Sequence, residues 1–143
     1  MQAVQLAKLF ANIFGRDPEV IVPLPAHAST RAMYRLSAGD CCVIGVYNAN
    51  IKQNETFLGF SKHFSKHGLP VPEVYGASDE RDCYLVQDLG ETTLLDCVAA
   101  SDSPTLSPEL IKLYESAVRW LTQFQVKAGT SLDYSLCHQR SEY

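Results

Sequence analysis

The sequence lacks the features that mark several classes of protein. No apolar stretch approaches the roughly 20 residues that a membrane-spanning helix needs, and the amino-terminal segment has no basic-then-apolar layout of a secretory signal. The net charge is −4 and no basic run occurs, so we expect no nucleic-acid partner. Five cysteines without metal-type spacing indicate reduced thiols, which favours a cytoplasmic protein.

What remains is the composition of a globular domain. Hydrophobic residues make up 46% of the chain and charged residues 20%, which are ordinary values for a folded soluble protein. A chain of 143 residues fits one domain. Folding would bury roughly 70% of the surface that its unfolded form exposes. Neither an internal repeat nor a low-complexity segment is present.

The most informative stretch is 27–47. Its small and hydroxyl residues come first, including Ser29 and Thr30, and a loop of this kind can bring its N–H groups close to a ligand. A strand carrying Arg31 and Arg35 follows, and their even spacing puts both on one face. A small-residue loop with guanidinium groups beside it is suited to hold phosphate.

Apolar periodicity and capping residues predict the remaining elements. A first helix ends at Gly15, and a second begins at the N-cap Asn50 and ends at Gly68. Strands are predicted at 20–22, through the hairpin of 31–47, and at 73–77 and 83–87; later helices begin at Thr92 or Thr93 and at Ser107, the last closing at Gly129. This order predicts an α+β fold: a five-stranded antiparallel sheet with one packed helix, an amino-terminal helix and carboxy-terminal helices.

Several side chains allow a functional and a structural interpretation. Glu55 lies on a flank of the second helix, so its carboxylate is either near the edge of a core or buried with a partner. His63 and His67 have the spacing of some zinc pairs, but adjacent lysines and a missing third ligand favour a solvated face. Cys41 and Cys42 point to opposite faces of a strand, which favours core packing.

The last clear helix carries one apolar stripe that has no partner among the earlier elements. An exposed stripe of this kind should drive self-association through Leu110–Phe124. With the aperiodic segment that follows, it indicates the start of a unit that has been cut off. The stripe consists of Leu110, Leu113, Tyr114, Ala117, Leu121 and Phe124, and Trp120 is expected to help seat the helix.

Three local motifs carry a family resemblance. They are Ser29-Thr30-Arg31 followed by Tyr34-Arg35-Leu36, then Gly68-Leu69-Pro70-Val71-Pro72-Glu73-Val74-Tyr75, and then Tyr84-Leu85-Val86-Gln87-Asp88-Leu89-Gly90. With these motifs, 1–128 resembles the amino-terminal lobe of the aminoglycoside phosphotransferase family, which has the protein-kinase fold. The most similar branch is that of bacterial sugar kinases, including the N-acetylmuramate/N-acetylglucosamine 1-kinases.

The resemblance implies a layout and a site. It implies a kinase-like lobe at 1–87, a hinge at 88–90 and the start of a second lobe at 91–143. The loop at 27–31 would cover a nucleotide, the helix glutamate would pair with a cation near the phosphates, and the hinge backbone would bind the adenine edge. The implied cofactors are ATP and Mg²⁺, and the implied acceptor is a small-molecule hydroxyl, such as that of a sugar. The implied cofactor-binding residues are Ser29, Thr30, Arg31, Arg35, Glu55, Gln87, Asp88 and Leu89.

Two departures from the family pattern matter. The family commonly places a lysine on the third strand, whereas 43–47 contains no cation, so Arg31, Arg35 or Lys52 is expected to serve instead. No His/Arg-x-Asp-x-x-x-x-Asn motif occurs, so we expect no catalytic residue or metal ligand in this chain and no turnover by it alone. The alternatives are a non-catalytic, pseudokinase-like binding module and a plain α+β interaction domain with no nucleotide site.

Overall fold

The computed structural model describes residues 1–25, 30–101 and 107–137. Its elements are α1 (Gln2–Phe14), β1 (Val20–Pro23), β2 (Ala32–Ala38), β3 (Cys41–Tyr47), α2 (Ile51–Lys66), β4 (Val74–Ala77), β5 (Cys83–Gln87), α3 (Leu94–Ala99) and α4 (Pro108–Thr122). A π-helical turn at Gln123–Ala128 and short 3₁₀ turns at Gly129–Ser131 and Tyr134–Leu136 follow. The predicted α+β class is confirmed. Within the described ranges, no helix combines the length and apolar content that crossing a membrane requires.

Local capping chemistry sets most of the helix ends. Gly15 ends α1 at a φ of 70°, a left-handed conformation that glycine adopts without steric cost. The Asn50 side chain accepts a hydrogen bond from the Gln53 N–H at 3.1 Å, and Thr93 closes a capping box with Asp96. These predicted starts are confirmed. The α-helical part of the last helix ends at Thr122, and the π-helical turn carries the helical path on to its C-cap, Gly129, where the sequence predicted the stop.

The five strands form one antiparallel sheet in the order β1-β2-β3-β5-β4. The central strands β3 and β5 are covered on both faces, by α1 on one and by α2 on the other. This double burial explains why Cys41–Tyr47 is apolar almost without alternation. The sequence predicted one helix packed across the sheet, whereas the structure has one on each face.

The α1 side of the sheet holds the larger core. Gly45 on β3 allows the close approach of α1, because a Cβ at this position would lie 2.6 Å from Leu36 Cδ1 and 3.0 Å from Leu6 Cδ2. The buried members of this core are Leu6, Leu9, Phe10, Leu36, Ala38, Val43, Cys83 and Leu85. This face is filled by side chains and leaves the opposite face of the sheet for a site.

The aromatic residues of α2 serve two different surfaces. Phe57 stacks on Tyr84 of the sheet with ring centroids 5.0 Å apart. Phe64 instead packs edge-on against Phe124 at 4.9 Å and neighbours Phe60 on the helix. The single stripe predicted for Phe57, Phe60 and Phe64 is therefore divided between the sheet and the segment after α4. The contact with Phe64 also shows that Phe124 packs on α2 of this chain.

The histidines of α2 lie against the segment that follows α4. His63 Nε2 lies 2.9 Å from the Ala128 carbonyl oxygen, and His67 Nε2 lies 3.3 Å from Ser131 Oγ. Both rings are half-buried, so the predicted solvated face is wrong. No group of three or more potential metal-ligating side chains occurs in the part of the chain that the structure describes.

The cysteines are free thiols, as the sequence predicted. Cys41 packs against the α1-side core, as expected. Cys42 is exposed instead of packed, and its Sγ donates a hydrogen bond to Asp88 Oδ2 at 3.3 Å. Burial raises the pKa of the Cys83 thiol to about 12, so this thiol is protonated at neutral pH.

Helix α4 exposes most of its apolar residues. Leu110 is buried, whereas Val118 is 62% exposed and Leu121 is 55% exposed. The other exposed apolar residues of the helix are Ile111, Leu113, Tyr114 and Trp120. Self-association through Leu110–Phe124 stays a prediction.

Candidate functional site

A groove of about 310 Å³ opens on the α2 side of the sheet. This volume is at the lower end of the range of about 300–1,000 Å³ for small-molecule sites. Leu24 and Met33 line the groove from the β1–β2 side, and Phe57 and Pro72 line it from the opposite side. Its floor consists of Ile44, Val46, Tyr84 and Val86, and its remaining lining residues are Arg31, Arg35, Gln87, Asp88, Leu89 and Gly90.

The floor is apolar because two central strands meet there in register. Ile44 pairs with Val86, and Val46 pairs with Tyr84, across the antiparallel β3–β5 ladder. All four side chains are buried and point to the α2 face. The resulting surface is an apolar groove floor bounded by polar and charged groups at its rim, which suits an aromatic ligand with a polar end.

Residues predicted from distant parts of the sequence meet at this groove. Arg31 and Arg35 line it from β2 and the residue before it, as their even spacing predicted, and Gln87, Asp88 and Leu89 line it from the end of β5. Strand order explains the meeting, because β2 and β5 both neighbour β3. Arg31 and the tripeptide 88–90, which the resemblance assigned to a nucleotide-covering loop and a hinge, therefore line the same groove.

The other predicted site residues lie elsewhere. Thr30 is exposed beside Arg31 and is not among the groove-lining residues, and Ser29 lies outside the described residues. Glu55 is exposed on α2 and does not line the groove, and neither does the exposed Lys52. A cofactor role for these residues stays a prediction. For Glu55, exposure excludes the buried position with a partner.

Arg35 and Asp88 form a two-pronged ion pair across 53 residues of sequence. Arg35 Nε donates to Asp88 Oδ2 at 2.6 Å and Nη2 donates to Oδ1 at 3.2 Å, while Nη1 donates to Glu91. These hydrogen bonds raise the pKa of Arg35, and the bond from Arg35 lowers the pKa of Asp88. The guanidinium of Arg35 is thus already neutralised by two carboxylates. This pairing ties β2 to the segment that leaves the sheet.

Arg31 is the second guanidinium at the groove, and its charge acts electrostatically on Tyr84 of the buried floor. Burial raises the pKa of the Tyr84 hydroxyl, and the positive charge of Arg31 opposes that rise. Arg31 is half-buried. Of the three cations that the sequence offered in place of a third-strand lysine, Arg31 and Arg35 line the groove and Lys52 does not. Arg35 is held by Asp88 and Glu91.

The carboxylate of Asp88 organises the rim beyond Arg35. The Gly90 N–H donates to Asp88 Oδ1 at 2.9 Å, and Cys42 donates to Oδ2. Gly90 has a φ of 89°, which lets the chain turn sharply as it leaves β5. Asp88 therefore holds the rim by hydrogen bonds to three separate residues of the lobe, in addition to its charge.

The ion pair predicts a pH-dependent contribution of Asp88 to stability. Because the folded-state pKa is lowered, the contribution is present above the pKa of an unfolded aspartate, about 3.9, and is lost as the pH falls through the folded-state value. Asp88→Asn should therefore lower the free energy of unfolding at pH 7 but not in strong acid. Urea unfolding across this pH range measures both values. Asp40→Asn, which removes an exposed carboxylate 3.6 Å from Arg16 Nη2, is the control. A difference that does not change with pH would contradict the prediction.

A buried amide network supports the groove from behind. Asn54 is fully buried, and its Nδ2 donates to the Asn48 carbonyl at 2.8 Å and the Arg81 carbonyl at 2.7 Å. Asn48 Nδ2 returns a hydrogen bond to Asn54 Oδ1 at 3.2 Å. The network joins the end of β3, helix α2 and the turn before β5. It fixes α2, which carries Phe57 into the groove. The sequence reasoning missed it; an amide at a helix position facing the sheet was the available signal.

The main chain at the rim offers hydrogen-bonding groups that no other described residue uses, among them those of Leu89. Among the described residues, the N–H and C=O of Leu89 have no hydrogen-bond partner, whereas the Gln87 N–H donates to the Glu73 carbonyl at 2.8 Å. The Leu89 side chain is 70% exposed. Because backbone polar groups require partners when covered, a ligand on the apolar floor would gain from pairing with Leu89.

A scan of the chain against models of known protein families finds no match, and a search of curated proteins finds no similar sequence. The character of the site is therefore inferred from its own residues and geometry.

Proposed function

We propose that this groove binds ATP and that the chain is the nucleotide-binding lobe of a kinase-like phosphotransferase acting on a small-molecule hydroxyl, such as that of a sugar. The adenine would lie on the apolar floor, and the phosphates would point toward Arg31. One observation carries the proposal: an apolar groove has a main-chain donor and acceptor at one rim, on Leu89, and a guanidinium at another.

The apolar floor suits the flat face of the base, and the Leu89 main chain suits its polar edge. A purine ring gains dispersion energy over Ile44, Val46 and Val86. The edge of adenine presents an acceptor nitrogen beside an amino donor, which complement the Leu89 N–H and C=O. This arrangement favours a base with that donor–acceptor order. The resemblance of the sequence to a kinase-like amino-terminal lobe supports the same proposal.

Arg31 suits the phosphates better than Arg35 does. A hydrogen bond from a guanidinium to phosphate is charge-assisted and contributes about 1.5–3 kcal/mol. Arg35 would have to release Asp88 and Glu91 before it could make such a bond. Arg31 lines the groove, and its positive charge already acts on the Tyr84 hydroxyl at the floor. We therefore assign phosphate contact to Arg31 and positioning of the rim to Arg35.

Phosphoryl transfer also requires metal ligands and a group that orients the acceptor hydroxyl. We assign neither role to a residue of this chain, and Mg²⁺ would enter bound to the phosphates. The chain alone is therefore expected to bind nucleotide without transferring phosphate.

A non-catalytic interaction module is the second candidate. The exposed apolar residues of α4, led by Val118 and Leu121, favour a surface that another structure covers. On this candidate the groove would show no preference for nucleotide over other planar aromatic molecules.

Isothermal titration with ATP·Mg²⁺ and with adenosine separates these candidates. Arg31→Ala should weaken ATP binding about tenfold or more, because a charge-assisted bond is lost, and should leave adenosine binding nearly unchanged. Arg16→Ala, at the surface pair with Asp40, is the control and should change neither affinity. Absence of binding by both ligands at millimolar concentration would contradict the proposal. Equal loss of ATP and adenosine affinity would contradict the role of Arg31.

A further inference from the structure

A second groove, of about 780 Å³, runs between α2 and β4 on the other side of a wall formed by Pro72 and Gln87. These two residues line both grooves. The second groove is larger than the first, and no part of the proposed nucleotide site uses it. Its apolar lining comes from Leu58, Val71, Pro72, Val74 and Ala77.

The charge of this second groove opposes that of the whole chain. Lys62 and Lys66 on α2 and Arg81 in the turn before β5 line it, and Glu73 is the one acidic residue among its described lining residues. The chain as a whole has a net charge of −4. A local excess of positive charge in an acidic protein selects for a negatively charged partner.

Strand β4 forms one wall and is the edge of the sheet. Within the described residues it pairs with β5 alone, so the main-chain groups along its other side are not used by a strand. A Cβ at Gly76 would point toward α1, 2.7 Å from Ile13 Cδ1, so Gly76 presents only main chain to the groove. An extended peptide can add to such an edge, with its alternate side chains entering an adjacent groove.

We propose that the α2–β4 groove binds an acidic peptide segment of a partner protein in an extended conformation. Apolar side chains of that segment would pack between Leu58 and Val74, and its carboxylates would pair with Lys62, Lys66 and Arg81. Nucleic acid fits less well, because the described lining contains no aromatic side chain on which a base could stack.

Fluorescence anisotropy with a labelled peptide tests this proposal. The probe has Phe-Val-Phe at its centre and two glutamates at each end. The combined Lys62→Glu and Lys66→Glu variant should weaken its binding by at least about tenfold, because attraction is replaced by repulsion. Lys8→Glu reverses one lysine charge at an exposed position of α1 and should leave the affinity unchanged. Binding of the probe should also weaken as salt is raised.

Two matched peptides and a mapping experiment complete the test. A peptide with lysines in place of the glutamates should not bind, and one with Phe-Pro-Phe at its centre should bind more weakly because proline cannot donate to the strand edge. Amide chemical shifts should change mainly in 58–66 and 71–81. If the charge-reversed variant does not fold, Ser65→Trp, which fills the groove from an exposed position, replaces it and should also block binding.

Three results would overturn the proposal: no binding of the acidic peptide, equal binding of the lysine peptide, or equal loss in the Lys8→Glu variant. Displacement of the probe by single-stranded DNA of the same charge would also overturn it, by showing a general anion surface. The experiment contains no nucleotide, so its failure leaves the ATP proposal standing, and failure of ATP binding leaves this proposal standing.

Discussion

Replacement of Asn54 by leucine should destabilise the protein by about 3–5 kcal/mol, a large loss for one substitution. Leucine has a similar size but cannot donate, so the buried carbonyls of Asn48 and Arg81 would each lose a hydrogen bond. The Asn48 amide would also lose the acceptor on Asn54. This side chain connects three separate segments and has no exposed surface from which water could replace it.

Urea unfolding followed by circular dichroism measures this loss. Asn12→Leu, at an exposed position of α1, is the matched control and should change the free energy of unfolding by less than about 0.5 kcal/mol. The effects of Asn48→Leu and Asn54→Leu should not add in the double variant, because the two amides share a hydrogen bond. A cost for Asn54→Leu as small as that of the control would contradict the structural role of the network.

Replacement of Met33 by tryptophan should reduce the affinity for both ATP and adenosine by at least about tenfold, because it puts a large ring where the base would lie. Met33 lines the groove from β2 and is 38% exposed, so the larger side chain can extend into the groove without entering the core. This pattern differs from that of Arg31→Ala, for which only the phosphate-bearing ligand should lose affinity.

Isothermal titration of the variant measures the effect, and Val20→Trp is its control. Val20 is an exposed residue of the neighbouring edge strand β1 and is 51% exposed, but it does not line the groove. The control should bind both ligands as the unaltered protein does. Unchanged affinity in a folded Met33→Trp protein would show that the ligand binds elsewhere.

Local signals were sufficient to predict most elements of the fold. The left-handed glycine after α1 and the side-chain caps at Asn50 and Ser107 are determined by neighbours within a few residues, which sequence displays directly. Alternation and turn residues likewise located the strands. The coverage of both sheet faces was missed because an apolar run such as 41–47 indicates burial without saying how many layers provide it.

Contacts between distant segments could not be predicted. The pairing of Arg35 with Asp88 depends on the strand order, which brings together residues 53 positions apart. The packing of His63 against the Ala128 carbonyl depends in the same way on where the segment after α4 returns to α2. In both cases the residue type was visible, but its partner was fixed only by the tertiary fold.

The candidate site was predicted only in part, because the sequence shows its motifs but not the tertiary contacts of their side chains. The motifs at 29–36 and 84–90 lie on strands that both flank β3, so residues from each line the same groove. The pairing of Arg35 with two carboxylates of the chain was not predicted, and its cofactor-binding role stays a prediction. The Leu89 main chain could not be predicted as a rim contact, because every residue has a main chain and its side chain gives no signal. Only the fold shows that this main chain has no partner among the described residues.

Amide chemical-shift mapping with adenosine tests most directly whether the groove between Arg31 and Leu89 is the binding site of the base. Adenosine lacks phosphates, so charge attraction cannot produce the response. We predict saturable changes at the Leu89 amide and at the amides of 31–35, 44–46 and 84–90, with little change along α4. No response at millimolar adenosine, or a response confined to α4 or to the α2–β4 groove, would contradict the account.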